Sequence, residues 1–229
     1  MPAIIGRKNP NPSTQRLDMN PQLLAVCVGH AQALFAPAPG QDLAASTPPP
    51  GPPRFSAIRK STVSSLEDPR PIDVGALGVS GDEQVNHSVH GGPAKAVYAY
   101  AAEHYPFWTT VRAQAGQHAP LAWGAMGENL VLQGLLEPQL WIGDHLHIGS
   151  VQLRVESPRQ PCFKFDAVMG FRQASKMMIQ SGFTGVYLSV LRPGVITAGD
   201  SVTVLSGDRV LSLTERHTLS NRSPQRSLW

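Results

Sequence analysis

The sequence predicts a mainly β fold with a few helices, arranged as a barrel or sandwich with helical decorations, and three observations carry that reading. After residue 56 apolar side chains mostly recur at period two, turn residues punctuate these runs, and helical periodicity is confined to two stretches. Many short strands with a couple of interposed helices belong to such architectures. At 229 residues the chain has room for one domain of ordinary size or two small ones.

Residues 1–21 are expected to form a disordered N-terminal tail, because their Pro, Asn, Ser and Thr show no apolar periodicity. A strand follows at about 23–28. The stretch LLAVCVGHAQALFA (23–36) is apolar enough to raise the question of a signal or membrane segment. It contains His30 and Gln32 and is short of the ~20 residues of a span, so a core strand is favoured, with an uncleaved secretory signal as the alternative. APAPGQDLAASTPPPGPPRF (36–55) is a semi-rigid Pro-rich insertion.

Further along, Val151, Leu153 and Val155, then Val186, Leu188 and Val190, then Val202 and Val204 alternate with other residues as half-buried strands do. HLHIGSVQLRV (145–155) reads as a hairpin turning on Gly149-Ser150. Helices are expected over AYAAEHYPFWTTVRAQ (99–114), interrupted or capped near Pro106, and around DAVMGFRQASKMMIQSG (166–182), stopped by Gly182. The strings IGD (142–144) and AGD (198–200) each open or precede a strand, as two similar corners would. The folded domain is expected to end near 205, leaving 206–229 as a C-terminal tail.

Composition narrows the function. Charged residues are 15% of the chain against a typical ~25%, which excludes a coiled coil or a charge-rich disordered protein. Thirteen of the 21 prolines fall in residues 1–71, so the front is loop-rich. The net charge of +3 sits at the ends: residues 1–20 and 206–229 each carry +2, leaving 21–205 at −1. A fold-wide basic face is therefore not indicated, and no nucleic-acid partner is expected. Two cysteines, Cys27 and Cys162, without CxxC spacing fit a reducing compartment, hence the cytoplasm, with no membrane association.

Four strings pack polar or glycine residues between apolar runs: GDEQVNHSVHGGPAKAVYAY (81–100), GAMGENL (124–130), IGD (142–144) and VESPRQPCFKF (155–165). In the last, Cys162 lies between Arg159 and Lys164, and nearby cations favour the thiolate, which is both nucleophile and soft metal ligand. Composition alone favours the plainer reading of a small buried core cysteine. His87 and His90 precede Gly91-Gly92-Pro93, so a turn is favoured over a metal pair, and the bare glycine backbone offers N–H groups to an anion. Glu128 and Asn129 either cap the chain locally or point into a cavity. No GxSxG, Walker or GxGxxG string is present, leaving serine hydrolase, P-loop and Rossmann readings without a motif.

Taken in order, GDEQVNHSVHGGPAKAVYAYAAEHYPFW (81–108), GENL (127–130), GD (143–144) and SPRQPCFK (157–164) resemble a MOSC domain, the C-terminal fold of molybdenum-cofactor sulfurases, and more closely its YiiM-type branch. The resemblance implies a β-barrel holding molybdenum cofactor, with Cys162 as metal ligand and catalytic residue. It places Arg159, Lys164, His90, Gly91, Gly92, Lys95, Glu128 and Asn129 around the cofactor. It implies reductive detoxification of N-hydroxylated small molecules, notably hydroxylamino purines, with electrons from a separate redox protein, since this chain has no flavin, haem or iron–sulfur motif. A homodimer is compatible with it. Two readings of another class stand beside it: a non-redox carrier of sulfur or cofactor through a Cys162 persulfide, and a degenerate barrel acting only as a binding scaffold. Three departures from the pattern are Ala94-Lys95 where relatives have Asp and Arg, the insertion at 36–55, and a C-terminus too short for the three-helix extension of YiiM-type relatives.

Overall fold

The computed structural model describes residues 20–34, 55–84 and 91–222. The expectations for residues 1–19, for most of the 36–55 insertion and for His87 and His90 therefore lie outside the described residues. In chain order the strands of the first half are β1 Gln22–Val28, β2 Gln32–Ala33, β3 Phe55–Ser56, β4 Ser61–Ser65, β5 Ile72–Gly75, β6 Gly78–Val79 and β7 Val97–Ala101. Helix α1 Tyr105–Gln114 and β8 Leu130–Gln133 follow, then β9 His145–Ile148, β10 Val151–Pro158, α2 Phe163–Met169 and α3 Ala174–Ser181. The chain continues through β11 Val186–Arg192, β12 Gly194–Ile196, β13 Val202–Leu205 and α4 Leu213–Arg222.

Eight strands form one mixed sheet in the order β13-β9-β10-β11-β7-β8-β1-β4, antiparallel throughout except for the β7–β8 pair. The mainly β expectation holds, but the ladder is not a closed barrel. β4 occupies the outer edge of β1 from Ala25 to Val28. Only the start of β1 is left to meet the far side of the sheet, through the Gln22–Ser201 bridge and three backbone bonds, from the Leu23 N–H to the Asp200 carbonyl at 2.9 Å, from the Gly199 N–H to the Leu23 carbonyl at 2.7 Å and from the Val202 N–H to the Pro21 carbonyl at 2.7 Å. Closure is thus confined to one corner, and β4 and β13 remain unpaired with each other.

The β9–β10 hairpin turns on Gly149-Ser150 as its spacing predicts, and Gly149 has φ 54°. A Cβ there would lie 2.4 Å from the Val195 carbonyl oxygen, so both conformation and space demand glycine. The IGD and AGD corners use one device: Asp144 accepts the Trp141 N–H at 3.1 Å and Asp200 accepts the Thr197 N–H at 2.8 Å.

Three local expectations need correction. Residues 99–101 belong to β7, where pairing with both β11 and β8 outweighs local helix propensity, and α1 begins only at Tyr105 with Pro106 in its first turn. The helical stretch after the PRQPC string is two helices, α2 and α3, separated at Gly170, whose left-handed φ of 78° ends the first. Residues 213–222, expected within a tail, form α4. Ser212 and Glu215 cap it reciprocally: the Glu215 N–H donates to Ser212 Oγ at 3.2 Å, and the Ser212 N–H to Glu215 Oε2 at 2.9 Å. Leu213, fully buried, anchors that helix in the aliphatic core.

The two faces of β7 show where the core lies. Val97 and Ala99 enter a cluster of Val, Leu, Ile and Ala side chains, whereas Tyr98 and Tyr100 enter a second cluster with Tyr105, Trp108, Met126, Phe165 and Met169. All five residues of β7 are buried, so the strand reads as an apolar run without amphipathic alternation. Helices α1, α2 and α3 contribute to the aromatic side, and the connection from β10 into α2 passes beside it.

Candidate functional site

β10 ends at Pro158, and Arg159, Gln160, Pro161 and Cys162 lead into α2. Two prolines in four residues stiffen this turn. Arg159 is only 6% exposed. Its guanidinium lies 5.0 Å from the Tyr98 ring centroid and 5.2 Å from that of Phe165, and it donates to the Met126 carbonyl. Burial opposes its charge, but the facing Tyr98 side chain offsets that and the guanidinium stays protonated. The Met126 carbonyl reaches Arg159 because the 124–128 turn lies against β3 and the residues after it. Gly127, at φ 82°, leaves no room for a Cβ, which would sit 2.9 Å from Ile58 Cγ1.

Cys162 is half-buried and opens on a cavity of about 100 Å³. The backbone around it is fixed: the Cys162 carbonyl accepts from Ser175 Oγ and from the Phe165 N–H, both at 2.8 Å. Lys60, Lys95, Arg159 and Lys164 line the same cavity, against the two carboxylates Asp82 and Glu83, a local balance of +2 in a body that is slightly negative. Tyr98 and Tyr187 form an aromatic wall with ring centroids 5.2 Å apart, and the Lys95 ammonium stands 5.8 Å from the Tyr187 ring. Burial raises the pKa of both phenols and keeps them protonated.

Of the residues singled out in the sequence, Cys162, Arg159, Lys164, Lys95 and Asn129 therefore share one cavity. Asn129 is committed to backbone: its Oδ1 accepts the Tyr98 N–H at 3.1 Å and its Nδ2 donates to the Cys27 carbonyl at 3.2 Å, tying β7 to β1. Gly91 and Gly92 lead into the short turn Pro93–Lys95 but do not line the cavity, which that segment reaches through Lys95. His90 lies outside the described residues. Glu128 does not reach the rim. It is fully buried behind the wall, where Oε1 accepts from the Tyr105 hydroxyl and from the Gly124 N–H at 2.8 Å, while Oε2 has no partner. Burial raises its pKa, offset in part by those donors.

Sequence reasoning missed Lys60, Asp82, Tyr98 and Tyr187. Lys60 and Asp82 form an ion pair at 7% and 5% side-chain exposure, and Asp82 also accepts the Gly29 N–H at 2.8 Å. Asp82 lies within the 81–100 motif string and Lys60 outside all four, and no spacing rule joins residues 22 apart across three short strands.

Residues 86–203 match the MOSC domain. The chain belongs to the MOSC domain family. Among its relatives, the uncharacterized protein YflK of Bacillus subtilis is 39% identical over 134 residues, 58% of each chain. A protein named reductase from Gibberella moniliformis is 37% identical over 147 residues, which make up 63% of this chain but 26% of that protein. The alignments thus cover about three fifths of YflK and a quarter of the reductase. The crystal structure of YiiM from Geobacillus stearothermophilus superposes with a TM-score of 0.64 at 26% identity, covering 88% of this chain and 84% of that one. The fold is YiiM-like. No helix among the described residues of this MOSC protein is long and apolar enough to cross a membrane.

Proposed function

We propose that this MOSC protein holds molybdenum cofactor in the Cys162 cavity and reduces N-hydroxylated small molecules such as hydroxylamino purines. One observation carries the reading: the half-buried thiol opens on a cavity with four cationic side chains and two acidic ones. The donor set fits the group. A soft thiolate suits molybdenum, whose remaining ligands come with the pterin dithiolene, and Lys95, Lys164 and Arg159 suit its phosphate. The reductase relative supports the direction of the chemistry.

The bound cofactor supplies the two-electron step, R–NHOH + 2 e⁻ + 2 H⁺ → R–NH₂ + H₂O, with electrons from a separate flavin or iron–sulfur protein. The chain itself binds and orients. Cys162 would hold the metal, Arg159 is clamped between Tyr98 and Phe165 as a fixed charge, and the Tyr98 and Tyr187 rings, tilted 44° to each other, wall one side of the cavity. Two cysteines without CxxC spacing fit a reducing compartment such as the cytoplasm.

The test is turnover. Protein purified from a host that makes the cofactor, given a low-potential electron donor, converts a hydroxylamino purine or an amidoxime to the amine or amidine, and Cys162→Ala does not. Cyanide-releasable sulfur on Cys162 without any reduction replaces this reading with a persulfide carrier.

A further inference from the structure

N–O cleavage expels an oxygen that leaves as water only if an acid protonates it, and the cavity holds four cations that differ in fitness for that task. Arginine does not release its proton near neutral pH, which removes Arg159. Lys60, Lys95 and Lys164 are each half-buried as whole residues. Lys60 has a defined anchor. Its side chain is 7% exposed, it lines the same cavity as Cys162, and its ammonium is held by the Asp82 carboxylate, itself anchored on the Gly29 N–H at 2.8 Å.

Resting on the reductase reading above, we propose that Lys60 is the acid that protonates the departing hydroxyl oxygen, with Asp82 as its positioning residue. The Lys60 ammonium gives one proton to the oxygen as the N–O bond breaks and water leaves. The amine nitrogen takes the second proton from solvent, and the redox protein supplies both electrons. The neutral Lys60 amine regains its proton from water entering the cavity after product departs.

The surroundings suit a proton that must leave. Burial lowers the Lys60 pKa, and Asp82 only partly restores it. The other groups acting on Lys60 are Glu128 and Cys27, from the 124–128 turn and β1. Burial favours the neutral form of both, the Cys27 thiol being pushed up to about 12. Asp82 is then the main anion holding the Lys60 proton. A general acid of this kind contributes on the order of 10²–10⁴ in rate.

The experiment uses Lys60→Arg, which keeps the charge and an Asp82 partner, and Lys60→Ala with added ethylammonium. Both variants are expected to retain wild-type molybdenum content and to lose kcat by about 100-fold or more. Ethylammonium restores turnover to the alanine variant, and the alkaline fall of wild-type kcat disappears in the arginine variant. Turnover of Lys60→Arg within threefold of wild type overturns the proposal while leaving the reductase reading intact, and so does loss of metal from both variants, which assigns Lys60 to cofactor binding. If metal-loaded wild type shows no reduction, the reductase reading falls and this proposal with it. Independently of turnover, NMR of ¹⁵Nζ-labelled lysines, assigned with Lys60→Arg, is expected to show Lys60 titrating below the ordinary lysine range. A Lys60 that titrates within or above that range contradicts the acid role.

Discussion

On one face of β7, Val97 and Ala99 join a cluster in which every buried member is Val, Leu, Ile or Ala. On the other, Tyr98 and Tyr100 join a layer held by directed bonds: the Tyr98 hydroxyl donates to the Thr184 carbonyl at 2.8 Å, the Tyr100 hydroxyl to the Phe183 carbonyl at 3.0 Å, and Trp108 Nε1 to the Tyr100 oxygen at 2.6 Å. Burial of aliphatic area is non-directional and stabilises whatever brings the strands together. Hydrogen-bonded aromatic rings fix positions, and the group they fix beside the cavity is Arg159. One strand thus separates a face that supplies stability from a face that supplies geometry.

That division is open to attack from both sides. Leu153→Ala, in the aliphatic cluster, is expected to lower unfolding free energy by about 2–5 kcal/mol in a urea titration while leaving metal content per folded molecule unchanged. Lost metal at full folding would mean that the aliphatic face also sets the site. Arg159→Met is the converse. It orphans the buried Met126 carbonyl, for about 1–3 kcal/mol, and removes the fixed charge, so retained cofactor would break the link between aromatic layer and site.

A smaller, pH-dependent effect is expected at Glu128. Its folded pKa lies above the unfolded value, so its contribution to stability is fully present below about pH 4.3 and is lost as pH rises through the folded pKa. Glu128→Gln removes that loss and is therefore expected to gain stability relative to wild type as pH rises from 4 to 8, in parallel thermal melts. A difference that is flat with pH would show that the carboxyl is not perturbed. Smallest in energy but simple to read is thiol alkylation at pH 8. Mass spectrometry is expected to find Cys162 modified first, since Cys27 is fully buried with its pKa pushed up to about 12. Earlier modification of Cys27 would contradict its placement.

The same contrast explains what the sequence disclosed. β10, β11 and β13 announce themselves by period-two alternation, and the Gly149-Ser150 hairpin by its turn chemistry, because those signals are local. β7 did not, since VYAYA is buried on both faces and its partners β8 and β11 lie far away in sequence. The Ser212–Glu215 cap of α4 is an S-x-x-E string, but the helix behind it carries little apolar periodicity to announce it. At the site, the motif strings marked Cys162, Arg159, Lys164 and Lys95, which the fold gathers around one cavity. They misplaced Glu128, whose adjacency to Asn129 says nothing about which side of the wall each side chain takes. The Lys60–Asp82 pair exists only once β1, β4 and the 81–84 turn have assembled.

The central claim, that the Cys162 cavity is the cofactor site, is tested most directly by molybdenum analysis of wild type and Cys162→Ser purified side by side from a host shown to make the cofactor. The account predicts metal approaching one atom per chain in the wild type and its loss in the serine variant at unchanged folding, because a hydroxyl is a harder and far less acidic donor than a thiol. Wild-type protein without molybdenum, or a serine variant that keeps it, would contradict the claim.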